Sequence, residues 1–219
     1  MFAAFTALAL SAPPAEASGP RYYFLLFGGQ SVPYRPRTAH TWATFVKATP
    51  AADGTTAVEQ VTISWLPAHG PVQPLRLRPV AGKNYSLEET FAIAAGNDAR
   101  VSMWGPFETD AARYELAAAQ AATLNSGAVR FRSVDSFRGS RAVQHCVHAV
   151  TYADPNLQRL LQPIPVRYGE PGTSRLAAKY VASGAFVNGP VTHDWLVPAL
   201  GLDRFAVVRR TPGEHVSRR

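Results

Sequence analysis

At 219 residues, with 47% hydrophobic and 17% charged side chains, the chain is too apolar to stay disordered, and a globule of this size buries about 70% of its unfolded surface. The formal charge of +7 admits an anionic polymer, a membrane surface or nucleic acid as partner. Nucleic acid is disfavoured, because the scattered arginines and their clusters at Arg76–Arg78, Arg130–Arg141 and Arg209–Arg219 build no aromatic-interleaved strand-binding face.

Residues 1–17 open with the apolar run FAAFTALALSA, followed by Pro13–Pro14 and the small-residue triplet Ala15–Glu16–Ala17. This order is that of an export signal cleaved after Ala17, which would place the protein in the periplasm or outside the cell. No Lys or Arg precedes Arg21, so an apolar N-terminal segment is the alternative. No interior run of about 20 apolar residues follows, so the mature chain is expected to have no transmembrane segment. Residues 18–211 read as one α+β domain and 212–219 as a polar basic tail, frayed beyond Thr211.

Tyr22–Phe27 is an aromatic and aliphatic strand ended by Gly28–Gly29. After a loop holding Pro33 and Pro36, Thr41–Ala48 alternates with Ala43 and Phe45 on one face and Trp42, Thr44 and Val46 on the other, with His40 at its entrance. A loop at residues 50–56 leads to Val58–Leu66, where Val61, Ile63 and Trp65 share one face and Gln60, Thr62 and Ser64 the other. Pro67, Pro71 and Pro74 stop regular pairing, and Ser86-Leu-Glu-Glu opens a helix with a capping box that runs through Ala95.

Val101–Trp104 is a short apolar run ended by Gly105–Pro106. Thr109 or Asp110 caps a long Ala-rich helix through Leu124, and Val129–Val134 returns as a strand. Ser140 is the expected cap of a helix carrying Val143, Cys146, Val147 and Val150. Short helices follow at Asn156–Leu161, Ser174–Ser183 and His193–Leu200, then a last strand at Arg204–Arg210.

A single cysteine, Cys146, rules out an internal disulfide. Near the start of a helix, a thiol can become a nucleophile if an imidazole elsewhere in the chain reaches it. His40 at a strand entrance is the natural base, and Gln60, Thr62 or Ser64 on the adjacent strand can orient it. The bland alternative is a cysteine buried as a small hydrophobe and a histidine satisfied in the core. A zinc site from His145, Cys146 and His148 with His40 or His193 lacks a second ligand pair, and Gly28–Gly29 lacks the rest of a phosphate loop, so neither metal nor cofactor is assigned.

The order His40-Thr-Trp-Ala-Thr-Phe-Val, then Thr62-Ile-Ser-Trp, then a helix-borne Cys146, resembles the circularly permuted papain-like hydrolases related to NlpC/P60, across roughly residues 38–152. The resemblance implies an antiparallel sheet packed against helices in a permuted papain-like arrangement. It implies a thiol hydrolase of amidase, peptidase or acyl-transfer type, with Cys146 as nucleophile, His40 as base and Gln60 or Ser64 as third member. Its substrate would be an amide, ester or acyl compound of the cell wall or of lipid. The competing expectation is an exported, non-catalytic binding or structural domain with a buried thiol.

Overall fold

The computed structural model describes residues 19–134, 141–154, 157, 169–187, 189 and 191–217. The expected export segment, Ser140 and nearly all of the expected helix at 156–161 lie outside the described residues.

A five-stranded sheet in the order β3-β2-β1-β6-β9 carries the architecture. β1 (Arg21–Ser31) is central, antiparallel to β2 (His40–Pro50) on one side and to β6 (Ala99–Thr109) on the other. β3 (Thr56–Ile63) edges the sheet beside β2, and β9 (Val207–Arg209) closes the far edge parallel to β6. A smaller sheet joins β4 (Trp65–Pro67), β5 (Val80–Asn84), β7 (Arg130–Phe131) and β8 (Val143–Gln144).

The central strands are apolar on both faces because helices cover both. Phe24 and Leu26 of β1, with Ala43 and Phe45 of β2, face a core built from α2 (Ala111–Asn125), α3 (Cys146–Thr151) and α4 (Glu170–Ala182). The alternate residues Tyr23, Leu25, Phe27, Trp42 and Val46 face a second core closed by α1 (Leu87–Gly96) and α5 (Leu196–Ala199). The period-two side-chain pattern of a strand thus sorts one sheet into two cores. The fold is α+β, as the element pattern implied.

Local chemistry sets the helix starts. The Ser86 hydroxyl accepts from the Glu89 amide while the Glu89 carboxylate accepts from the Ser86 amide, the reciprocal box expected for α1. Asp110 caps α2 through the Arg113 amide. The cap of α3 differs from expectation. The chain is still paired as β8 up to Gln144, so the helix begins late, and His145 Nδ1 accepts from the amides of Val147 and His148 in the manner of an Asp or Ser cap.

Residues 212–217 are fastened rather than frayed. The Ser217 carbonyl accepts from Gln30 and Arg100, the Glu214 carbonyl accepts from Ser174, and Val216 is buried. Fully buried Glu170 anchors this corner: both Arg100 Nε and Nη2 reach its carboxylate, and Ser102 donates to it.

Candidate functional site

A cleft of about 430 Å³ opens at the entrance of β2. Its walls come from the turn before β2 (Arg35, Arg37), the β4–β5 connection (Gly70, Val72) and the end of α1 (Ile93, Asn97, Asp98), with His40, Trp42, Tyr85 and Thr90 also lining it.

His40 and Trp42 sit two apart on β2 and share a face. Their rings stack at 5.3 Å between centroids and 19° between planes, and Trp42 stacks in turn on Phe27 and meets Phe91 edge-on. His40 Nε2 lies 2.9 Å from Ser64 Oγ. The Thr90 hydroxyl is 2.7 Å from the same Ser64 oxygen and 2.7 Å from the Ser86 carbonyl, so the polar chain runs from the imidazole through two hydroxyls to a helix-cap carbonyl. The Ser64 amide donates to Asn84, fixing the serine where β3 ends. Burial alone drives the imidazole pKa from its ordinary value to about 3, so the ring is neutral at physiological pH.

Two buried ring nitrogens on residues that line the cleft have no hydrogen-bond partner in the chain, His40 Nδ1 and Trp42 Nε1. The indole nitrogen is always a donor. If Ser64 donates to Nε2, the ring hydrogen sits on Nδ1 and the site presents two N–H donors. The opposite tautomer presents a lone pair at Nδ1 instead. A buried polar group left unpaired costs about 1–3 kcal/mol, so paired vacancies on adjacent rings call for a partner from outside the chain.

The sequence-predicted residues divide between the two faces. His40 and Ser64 meet. Thr62 pairs instead with Thr44, hydroxyl to hydroxyl at 3.0 Å. Gln60 is exposed on the edge strand opposite Val46, about 13 Å of strand from Ser64.

Cys146 is the first residue of α3, 4% exposed, and belongs to the core on the other side of the sheet from Trp42. It lines a separate small hollow of about 50 Å³ whose walls are mostly apolar. Ala39, Leu66 and Val72 border both this hollow and the cleft. The imidazole does not engage the thiol, since Nε2 is taken by Ser64 and Nδ1 has no partner. Of the backbone amides at the start of α3, those of Val147 and His148 already donate to the His145 ring.

The residues weighed as metal ligands also separate. His145 and His148 stack at 4.1 Å, whereas His193 packs on Tyr23 near Glu108, with burial lowering its pKa. Asp194, its sequence neighbour, pairs with Arg209 instead. Among the described residues, no group of three or more His, Cys, Asp or Glu side chains is placed to hold a metal ion. Among them, too, no helix is long and apolar enough to cross a membrane.

The sequence offers Trp42 as an aromatic that could line a substrate cleft, beside core packing, but gives no sign of Thr90 as a site residue. Nothing in the sequence alone brings Thr90 to Ser64. The chain matches no family model, no curated protein and no solved structure, so the role of the cleft has to follow from its own chemistry.

Proposed function

We propose that the protein is a binding domain whose cleft at His40 and Trp42 takes a small carboxylate-bearing ligand. The observation that carries this reading is the pair of buried, unpartnered ring nitrogens on two stacked residues that both line one cavity. A carboxylate oxygen can accept from the indole N–H and from Nδ1–H, while the Ser64–Thr90 chain holds the neutral imidazole in orientation. Arg35 and Arg37 at the mouth outnumber Asp98, which favours an anion over a cation.

Thermal-shift titration of the intact chain with small carboxylates, and with neutral sugars of similar size, tests it. Carboxylates are expected to raise the melting temperature of the wild type. The rise should be lost in Trp42→Phe, which keeps the ring and removes the N–H, and reduced in Arg35→Gln/Arg37→Gln. Stabilisation of wild type and Trp42→Phe alike, or by neither class of probe, rejects the reading.

A second reading is an exported thiol hydrolase of permuted papain-like arrangement acting on an amide, ester or acyl bond. It is favoured by the placement of Cys146 at the first residue of a helix, beside a hollow that shares three wall residues with the His40 cleft. This reading needs the strand entrance to rearrange so that His40 reaches the sulfur. Labelling by a thiol-directed electrophile discriminates. A native rate faster than that of the urea-unfolded chain, depressed in His40→Ala, supports the hydrolase; labelling only on unfolding leaves the binding domain.

A further inference from the structure

Between β4 and β5 the chain runs Gln73-Pro-Leu-Arg-Leu-Arg-Pro79, and its two leucines are the most exposed large apolar side chains among the described residues, Leu75 at 92% and Leu77 at 84%. Full exposure of two neighbouring leucines forgoes burial that is worth about 1.5–3 kcal/mol for each. Fraying does not explain it. The Arg76 amide donates to the Gln73 carbonyl, Ser133 Oγ donates to the same carbonyl, and Arg132 Nη1 donates to the Leu77 carbonyl, so the loop is tied at both ends to the strand behind it.

The charge on the loop itself and on the described residues 128–134 has one sign. Arg76 and Arg78 alternate with the leucines, Arg130 stands on the neighbouring β7, and Arg132 follows it directly. Neither residues 68–82 nor residues 128–134 contain an acidic side chain. Val134, at the end of the segment after β7, is also exposed.

We propose that this loop docks the protein on an anionic lipid surface. The leucines enter the boundary between headgroups and acyl chains, and the arginines pair with the phosphates above it. Apolar tips set among cations fit a surface that offers hydrocarbon and negative charge within a few ångströms of each other. A soluble polyanion supplies only the second. The proposal is independent of what fills the His40 cleft.

Flotation of the intact chain with vesicles tests it, using phosphatidylcholine alone and phosphatidylcholine mixed with phosphatidylglycerol. Binding is expected to the mixed vesicles, weakened by salt. Arg76→Gln and Arg78→Gln should each reduce the partition coefficient about fivefold, and Leu75→Asp and Leu77→Asp about tenfold or more. All four positions are exposed, so urea unfolding should be unchanged in each variant. Absence of binding to the mixed vesicles overturns the proposal. So does binding that the leucine variants retain in full, which would assign the patch to a purely ionic partner such as heparin-like polymers or nucleic acid.

Discussion

Acidification should expose the imidazole of His40 as a stability determinant. The folded chain keeps this ring neutral down to a pKa of about 3 because it is buried, while the unfolded chain takes up the proton near pH 6.5. Between those values the unfolded state binds more protons than the native one. The native state therefore holds this contribution in full above about pH 6.5 and loses it as pH falls toward 3. Over the whole window the loss approaches roughly 5 kcal/mol, and between pH 7 and pH 4.5 it comes to about 2.5 kcal/mol. Urea unfolding of wild type and His40→Gln at those two pH values isolates the term, since every other titrating group is common to both chains. Wild type should lose about 2.5 kcal/mol more than the variant. The His40 ring resonances of the native protein should also stay unmoved from pH 8 to pH 5. Parallel pH slopes in the two chains, or a native ring titrating near 6.5, refute the reasoning.

Gly82→Ala should destabilise by about 1–3 kcal/mol, because an added Cβ would meet Trp65 Cζ2 at 2.0 Å and the indole is fully buried; a chemical melt measures it. Glu170→Gln should cost about 3 kcal/mol by leaving Arg100 without its carboxylate, and amide exchange should show residues 211–217 losing protection first. Ser86→Ala removes one half of the α1 capping box and should cost about 1 kcal/mol in the same melt.

Strand alternation made much of this legible. Ala43 and Phe45 against Trp42 and Val46, and Ile63 with Trp65, separate in the structure as period two requires. So did the punctuation of α1 and α2, where a hydroxyl or carboxylate precedes the helix in the expected place. What the sequence does not encode locally is which helix covers which face. Cys146 and His40 lie far apart in the chain, and their meeting depended on α3 docking against the Trp42 side of the sheet. It docks against the Ala43 side, where Val147, Ala149 and Val150 complete the core. The length of β6 was also hidden, because Gly105–Pro106 reads as a stop. There the strand absorbs the pair in a register shift opposite Phe24 and Leu26 and pairs on through Thr109. The cap of α3 was misplaced for a related reason: β8 keeps the chain extended until His145, and an imidazole is seldom read as a helix cap.

The order in which a ribosome releases this chain leaves its middle strand half paired. β1, β2 and β3 form consecutive hairpins and can zip together once residues 21–63 have emerged. The other edge of β1 waits for β6, and β6 stays open until residues 207–209 arrive from the far end of the chain. At about 5–20 residues per second that interval is of order ten seconds, during which a strand apolar on both faces offers a bare edge to any other nascent chain nearby.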